Sequence, residues 1–186
     1  MKAQKWLHNV IVAAVLPFFL FCSAVGAQTV VLDDLFAKLL AADEPTSARI
    51  EQDIWREWSK SGSAAMDLLL QRGRDAMAEG DNDAAIEHLT ALIDHTPDFA
   101  EGYNARATAY FQAGDLGPSI ADIGRVLTLN PRHFGALAGL GMIFEQLDKP
   151  EKALEVYKAA IAIHPHLAGV LQSIERLEAE AAGQEL

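Results

Sequence analysis

The sequence predicts an all-α fold, a solenoid of stacked helical hairpins, and three observations predict it. Pro97, Pro131 and Pro165 stand 34 residues apart. In the segments they mark, Met66–Phe99, Ala100–His133 and Phe134–Leu167, the same positions are small and the same positions are apolar. Each segment also holds two stretches with apolar residues at helical spacing, parted by a short polar turn. A fixed period of this length means one supersecondary unit per repeat, and such units bury their apolar faces only by stacking.

Composition sets the outer bounds. The chain has 186 residues, 51% of them hydrophobic and 22% charged, which is the make-up of a globular protein. Its net charge of −11 argues against nucleic-acid binding, which depends on cationic side chains neutralising phosphates. A single cysteine, Cys22, excludes a disulfide framework within the chain and a thiolate zinc cluster.

In chain order, residues 1–27 read as a secretory signal peptide. Lys2 and Lys5 give the positive start, Val10 to Cys22 the apolar run, and Ser23-Ala24-Val25-Gly26-Ala27 the small-residue exit before a cut at Gln28. The alternative is a retained anchor, since residues 10–27 are uncharged and just long enough to span. Pro17 and the small-residue exit favour cleavage. A lipoprotein reading of Cys22 is disfavoured by the bulky Phe19-Leu20-Phe21 before it. Cleavage removes two lysines, no acid and the only cysteine, leaving a more acidic, thiol-free chain suited to an oxidising compartment. The expected location is a bacterial periplasm, with secretion as the alternative, and no other stretch is apolar enough to span a membrane.

Residues 28–65 carry two helical patterns, read as a degenerate repeat or N-terminal cap. Leu32, Leu35, Phe36, Leu39 and Leu40 make one apolar stripe. Pro45 opens a second helix bearing Ile50, Ile54, Trp55 and Trp58, whose tryptophans are expected to pack against the first repeat, with a recognition patch as the alternative. Residues 66–99, 100–133 and 134–167 are the three repeats. Position 8 of each is Gly73, Ala107 or Gly141, and position 20 is Ala85, Ser119 or Ala153, small residues that let paired helices approach closely. Leu89, Ile123 and Tyr157 share position 24, and Leu92, Val126 and Ala160 share position 27. Gly80 and Asp81 form the first inner turn, one ending a helix and the other capping the next, and Gly114 with Asp115 repeats it. In the third repeat, Asp148 and Glu151 form a capping-box pattern around Pro150. Residues 168–186 give an amphipathic capping helix (Val170, Leu171, Ile174, Leu177 apolar) and a frayed tail.

The three tandem segments resemble the tetratricopeptide repeat, with its W-x₂-L-G-x₂-Y, A-x₃-F and P pattern over 34 residues. The chain looks like the short exported bacterial members of that superfamily. It departs at position 7, where Arg72 and Arg106 replace the usual leucine, and at Asp148, which replaces a turn glycine. Each arginine is read as structural, Arg106 paired with Asp122 and Arg72 with a nearby acid or carbonyl, with an anion site as the alternative. The resemblance implies a right-handed solenoid whose inner groove is lined by the first helix of each hairpin. It points to Arg74 and Met77 in the first repeat, to Asn104, Thr108, Phe111 and Gln112 in the second, and to Met142 and Glu145 in the third. Arg176 of the capping helix joins them. Such a groove suits an extended peptide or a partner helix, with Met and Phe as adaptable and rigid anchors. The alternative for Met77 and Phe111 is ordinary core packing. Some family members clamp a C-terminal carboxylate. The matching positions here are Leu70, Arg74, Ala105, Gly135 and Gly139, of which only Arg74 is basic, so that clamp is not supported.

No catalytic motif is present: neither H-E-x-x-H, G-x-S-x-G, S-x-x-K, a phosphate loop nor G-x-G-x-x-G. His95, His133, His164 and His166 fall at repeat turns and are read as polar turn residues, so neither metal nor cofactor is expected. The expected function is non-enzymatic protein binding, and the resemblance to exported members of the superfamily implies an adaptor or assembly factor in an envelope complex. The rivals are a self-assembling dimer built on the Leu32–Leu40 stripe and, further off, an enzyme on a solenoid scaffold.

Overall fold

The structure is a computed structural model and describes residues 28–184. The proposed signal peptide, 1–27, lies outside the described residues. Nine helices follow one another among them: α1 (28–41), α2 (Glu44–Trp58), α3 (Ala64–Ala78), α4 (Asn82–His95), α5 (Ala100–Ala113), α6 (Leu116–Leu129), α7 (Phe134–Gln146), α8 (Pro150–Ile163) and α9 (Ala168–Gln184). The fold is all-helical, and α3 to α8 form three successive hairpins.

Stacking explains the core. Leu89 and Leu92 of α4 are fully buried and pack on Ala105 and Ala109 of the next hairpin. Ile123 and Val126 of α6 do the same with Ala136 and Ile143 of α7. Tyr157 and Ala160 of α8 meet Val170, Ile174 and Leu177 of α9, so the last helix covers the open end of the third hairpin. Each fully buried leucine or isoleucine contributes roughly 1.5–3 kcal/mol. The small residues act as anticipated. A Cβ on Gly141 would run into the Tyr157 ring, and the buried Ser119 hydroxyl donates to the Ala107 carbonyl at 2.8 Å.

The turns differ from the expected chemistry in two places. Asp81 caps α4 through a bond from the Ala84 N–H at 3.0 Å, and Gly114 adopts φ 85° at the end of α5, but Asp115 makes no side-chain cap. Asp148 is not part of a capping box: the residue preceding α8 is Lys149, without a side-chain cap, and Pro150 starts the helix. Asp148 itself takes φ 55°, filling the left-handed turn position that Gly80 and Gly114 fill elsewhere. The hairpin turn is set by helix packing, so the aspartate bears a conformation that glycine adopts without cost.

The N-terminal pair does not pack its tryptophans on the first repeat. The two rings lie against the start of the third. Trp58 stacks on His133 at 4.2 Å and 14°, and Trp55 meets Phe134 edge-on at 5.6 Å. The Trp55 ring also fills the space over Gly135. Phe36 and Leu39 of α1, Ile54 and Trp58 of α2, and Phe134 share one buried cluster, with Ile163 and Leu167 packed against it. The Arg132 guanidinium lies 4.3 Å over the Phe36 ring and 2.6 Å from Asp33. Most of the Leu32–Leu40 stripe is thus used internally. Leu40 is 56% exposed.

Candidate functional site

Helix α2 lies along the inner side of the solenoid, and its contacts give its course. Just before it, the Ala42 carbonyl accepts from His166 at 2.9 Å. Midway, Glu51 Oε2 lies 3.1 Å from His164 Nε2 while Oε1 accepts from Trp55 at 3.2 Å. Just beyond its end, Ser59 Oγ accepts from Arg74 at 3.1 Å. The helix therefore runs from the capping end back to the first repeat. The hydrogen bond from His164 holds the Glu51 carboxyl below its ordinary value, against burial, and the Trp55 bond adds to it.

Two cavities remain on this inner side. One of 880 Å³ is walled by α2 (Glu44, Ser47, Ala48, Glu51, Trp55), by α7 and by the turn and first part of α9. The other, of 340 Å³, lies between α5 and α7. Phe111, Gly135, Ala138 and Met142 line both, so the two form one groove divided by the Phe111 and Met142 side chains. Met142 is 51% exposed.

The nine residues proposed from sequence distribute unevenly. Asn104, Thr108, Phe111, Gln112 and Met142 line the smaller cavity, and Phe111, Met142 and Glu145 the larger. Met77 is half-buried against the core of the first repeat. Arg74 and Asn104 both turn to Glu101, which is buried to 3% exposure. Arg176 is exposed and pairs with Glu145 and Glu180. Glu145 also accepts from the Tyr157 hydroxyl at 2.7 Å. Burial alone would raise the Glu145 carboxyl, but the bonds from Tyr157 and Arg176 outweigh it and hold it below its ordinary value. Burial and that same carboxylate push the Tyr157 hydroxyl well up.

Two buried histidines correct the turn-residue reading. His133 and His164 are both 0% exposed. His133 Nδ1 accepts the Ala136 N–H at 3.0 Å and caps α7, leaving Nε2–H to donate to Glu101 at 3.1 Å. They are buried because Trp58 and Glu51 reach them from outside the repeat. Arg106 forms the expected fork with Asp122, at 2.7 and 2.9 Å, with a third bond to Thr90. The pairing raises the guanidinium further above its ordinary value. Arg72, by contrast, is exposed, with no ion pair among the described residues. A leucine-like inward position is lost because the side chain turns outward into water.

The α2 wall of the groove was missed from sequence. A signal for it exists: Glu44, Ser47, Ala48, Glu51 and Trp55 recur at helical spacing, on a face that adjoins and overlaps that of Ile54 and Trp58.

Among the described residues no group of His, Cys, Asp or Glu could hold a metal ion. None of the helices there is long and apolar enough to cross a membrane.

Stacked helical hairpins with an apolar inner groove define a class of helical-repeat binding proteins. The tetratricopeptide repeat model matches residues 70–122 and 119–168. A TPR repeat-containing protein of Rhizobium etli is 36% identical over 153 residues, 82% of this chain and 75% of that relative. The chain belongs to the tetratricopeptide repeat family. It is also 31% identical over 114 residues to the small glutamine-rich tetratricopeptide repeat-containing protein 2 of Saccharomyces cerevisiae, and spans 33% of that protein. Among solved structures, the Sgt2 TPR domain of Aspergillus fumigatus matches with a TM-score of 0.61 at 20% identity, over 66% of this chain and 83% of that one. The first TPR of Spaghetti, bound to the HSP90 peptide SRMEEVD, matches with a TM-score of 0.60 at 22% identity, over 63% and 93%.

Proposed function

We propose that the chain is a non-enzymatic adaptor or assembly factor that takes a segment of a partner protein into its inner groove. The observation that carries this reading is the continuity of the two cavities through Phe111 and Met142, an apolar seat on the inner side of a helical-repeat scaffold. Relatives of the same fold are described with peptides bound, which supports a peptide mode of binding. Asn104 and Arg74 hold the groove wall in place through Glu101, while Phe111 and Met142 touch the partner. The proposed site of action is the bacterial periplasm, after removal of residues 1–27, in an envelope assembly.

The test is a photo-crosslinking residue in place of Phe111, in the native host, with the exposed Glu87 as control. Capture of one protein from position 111 and none from 87 is the expected result. Equal capture from both positions, with the protein exported and folded, overturns the groove assignment. Recovery of full-length chain with residues 1–27 attached overturns the cleavage reading and favours the retained anchor.

A further inference from the structure

The charge lining the groove says what kind of segment it takes. Three carboxylates, Glu44, Glu51 and Glu145, line the larger cavity, and neither cavity is lined by any Lys or Arg. The nearest guanidinium groups are already engaged: Arg176 with Glu145 and Glu180, Arg74 with Glu101 and Ser59. Glu44 is exposed at the start of α2 and carries no ion pair among the described residues. Glu51 and Glu145 hold their carboxyls below ordinary values through the bonds already described, so both are ionised at neutral pH. The whole chain carries −11. An acidic tail entering this groove meets the unpaired Glu44, while Arg176 already shares its charge between Glu145 and Glu180, which costs several-fold in affinity.

The shape adds a second constraint. The α7 surface in the groove is built of Gly135, Ala138 and Gly139, which lets a backbone come close. One side chain already lies against it, the Trp55 ring of α2 over Gly135. The opposite flank of the same surface is open, with Met142 half in solvent.

We infer that the groove receives a cationic amphipathic helix of a partner protein, its apolar face seated on Phe111 and Met142 and its Lys or Arg residues turned to Glu44, Glu51 and Glu145. This rests on the adaptor reading above and specifies its partner. The apolar groove supplies the seat, and the carboxylates at its margin select the charge.

The test uses two labelled synthetic helical peptides with one leucine face in common. One has lysine on its polar face, the other glutamate, and both are titrated by fluorescence anisotropy into the protein as isolated from expressing cells. The lysine peptide is expected to bind saturably and at least about tenfold tighter than the glutamate peptide. Glu44→Gln with Glu145→Gln is expected to reduce that difference about threefold or more. Met142→Ser with Phe111→Ser is expected to weaken the lysine peptide about tenfold, while Glu87→Gln on the outer face changes nothing. Tighter or equal binding of the glutamate peptide overturns the inference. So does lysine-peptide binding that is unaffected by the Phe111 and Met142 changes, which would mean diffuse surface attraction. A dimer in light scattering that the Phe111→Ser variant abolishes also overturns it, because a second copy then fills the groove. If the crosslinker at position 111 still captures a partner while the lysine peptide fails, the adaptor reading stands and only the partner chemistry falls.

Discussion

Glu101 is the residue whose replacement tests the architecture most directly. It is buried, and it accepts from three elements at once: Arg74 of α3, Asn104 of its own helix at 3.3 Å, and His133 before α7 at 3.1 Å. His133 in turn carries the Trp58 ring, so the carboxylate anchors the N-terminal pair as well. Glu101→Gln keeps the size and removes the charge and one acceptor. The single remaining oxygen can serve Arg74 or His133, and the new amide N–H₂ faces the other donor. A lost charge-assisted bond costs about 1.5–3 kcal/mol and an orphaned buried donor about 1–3 kcal/mol. Arg74 is 34% exposed, so water recovers part of the first. About 3 kcal/mol remains, which corresponds to a fall in Tm of about 6–12 °C for a chain of this size. Thermal and urea unfolding followed by circular dichroism and tryptophan emission measures it. Arg74→Met should cost less in the Glu101→Gln background than alone, with a coupling of about 1–2 kcal/mol. A Tm change under about 2 °C, no larger than that of Glu87→Gln, would refute the idea that this carboxylate ties the elements together.

Three further outcomes are expected. Gly141→Ala drives a methyl into the Tyr157 ring and should destabilise by about 1–3 kcal/mol in urea titrations, more than Gly124→Ala, where space is open. Asp148→Gly relieves the φ 55° backbone and should stabilise by about 0.5–1 kcal/mol, read as a higher urea midpoint at unchanged slope. The folded Glu51 carboxyl lies below its ordinary value of 4.5, held there by the His164 bond, so its contribution is present above that pH and is lost as pH falls through the folded value. Tryptophan emission should therefore shift to the red below about pH 4.5 as α2 loosens, and Glu51→Gln should abolish that transition while leaving helix content intact.

The repeats were legible because their determinants are local and recur. Proline spacing, the small residues at Gly73, Gly141 and Ala153, and the Asp81 cap each act within one hairpin. The course of α2 was not legible. Its partners, His133, His164 and His166, lie far along the chain, and periodicity carries no information about such distant contacts. The same histidines read as polar turn residues because nothing in their own repeats covers them. A histidine directly before an apolar helix start, as at His133, is the one local hint, since its ring can cap the helix. The proposed groove residues Arg74 and Asn104 sit at inward positions, but a buried acid between them draws their polar groups into the protein. Arg106 was legible because its acid lies on the partner helix of its own hairpin.

A plain solenoid is a one-dimensional array in which each unit knows only its neighbours, so ends can fray or be cut away without disturbing the middle. The strut formed by the N-terminal helix pair removes that independence. Bonds between residues 99, 113 and 124 positions apart close the array on itself. The third hairpin thus draws stability from residues that precede the first, and the chain must close a loop of over a hundred residues before either is secure. The array should then melt as one cooperative body rather than unit by unit, and shortening it from either end should weaken the whole.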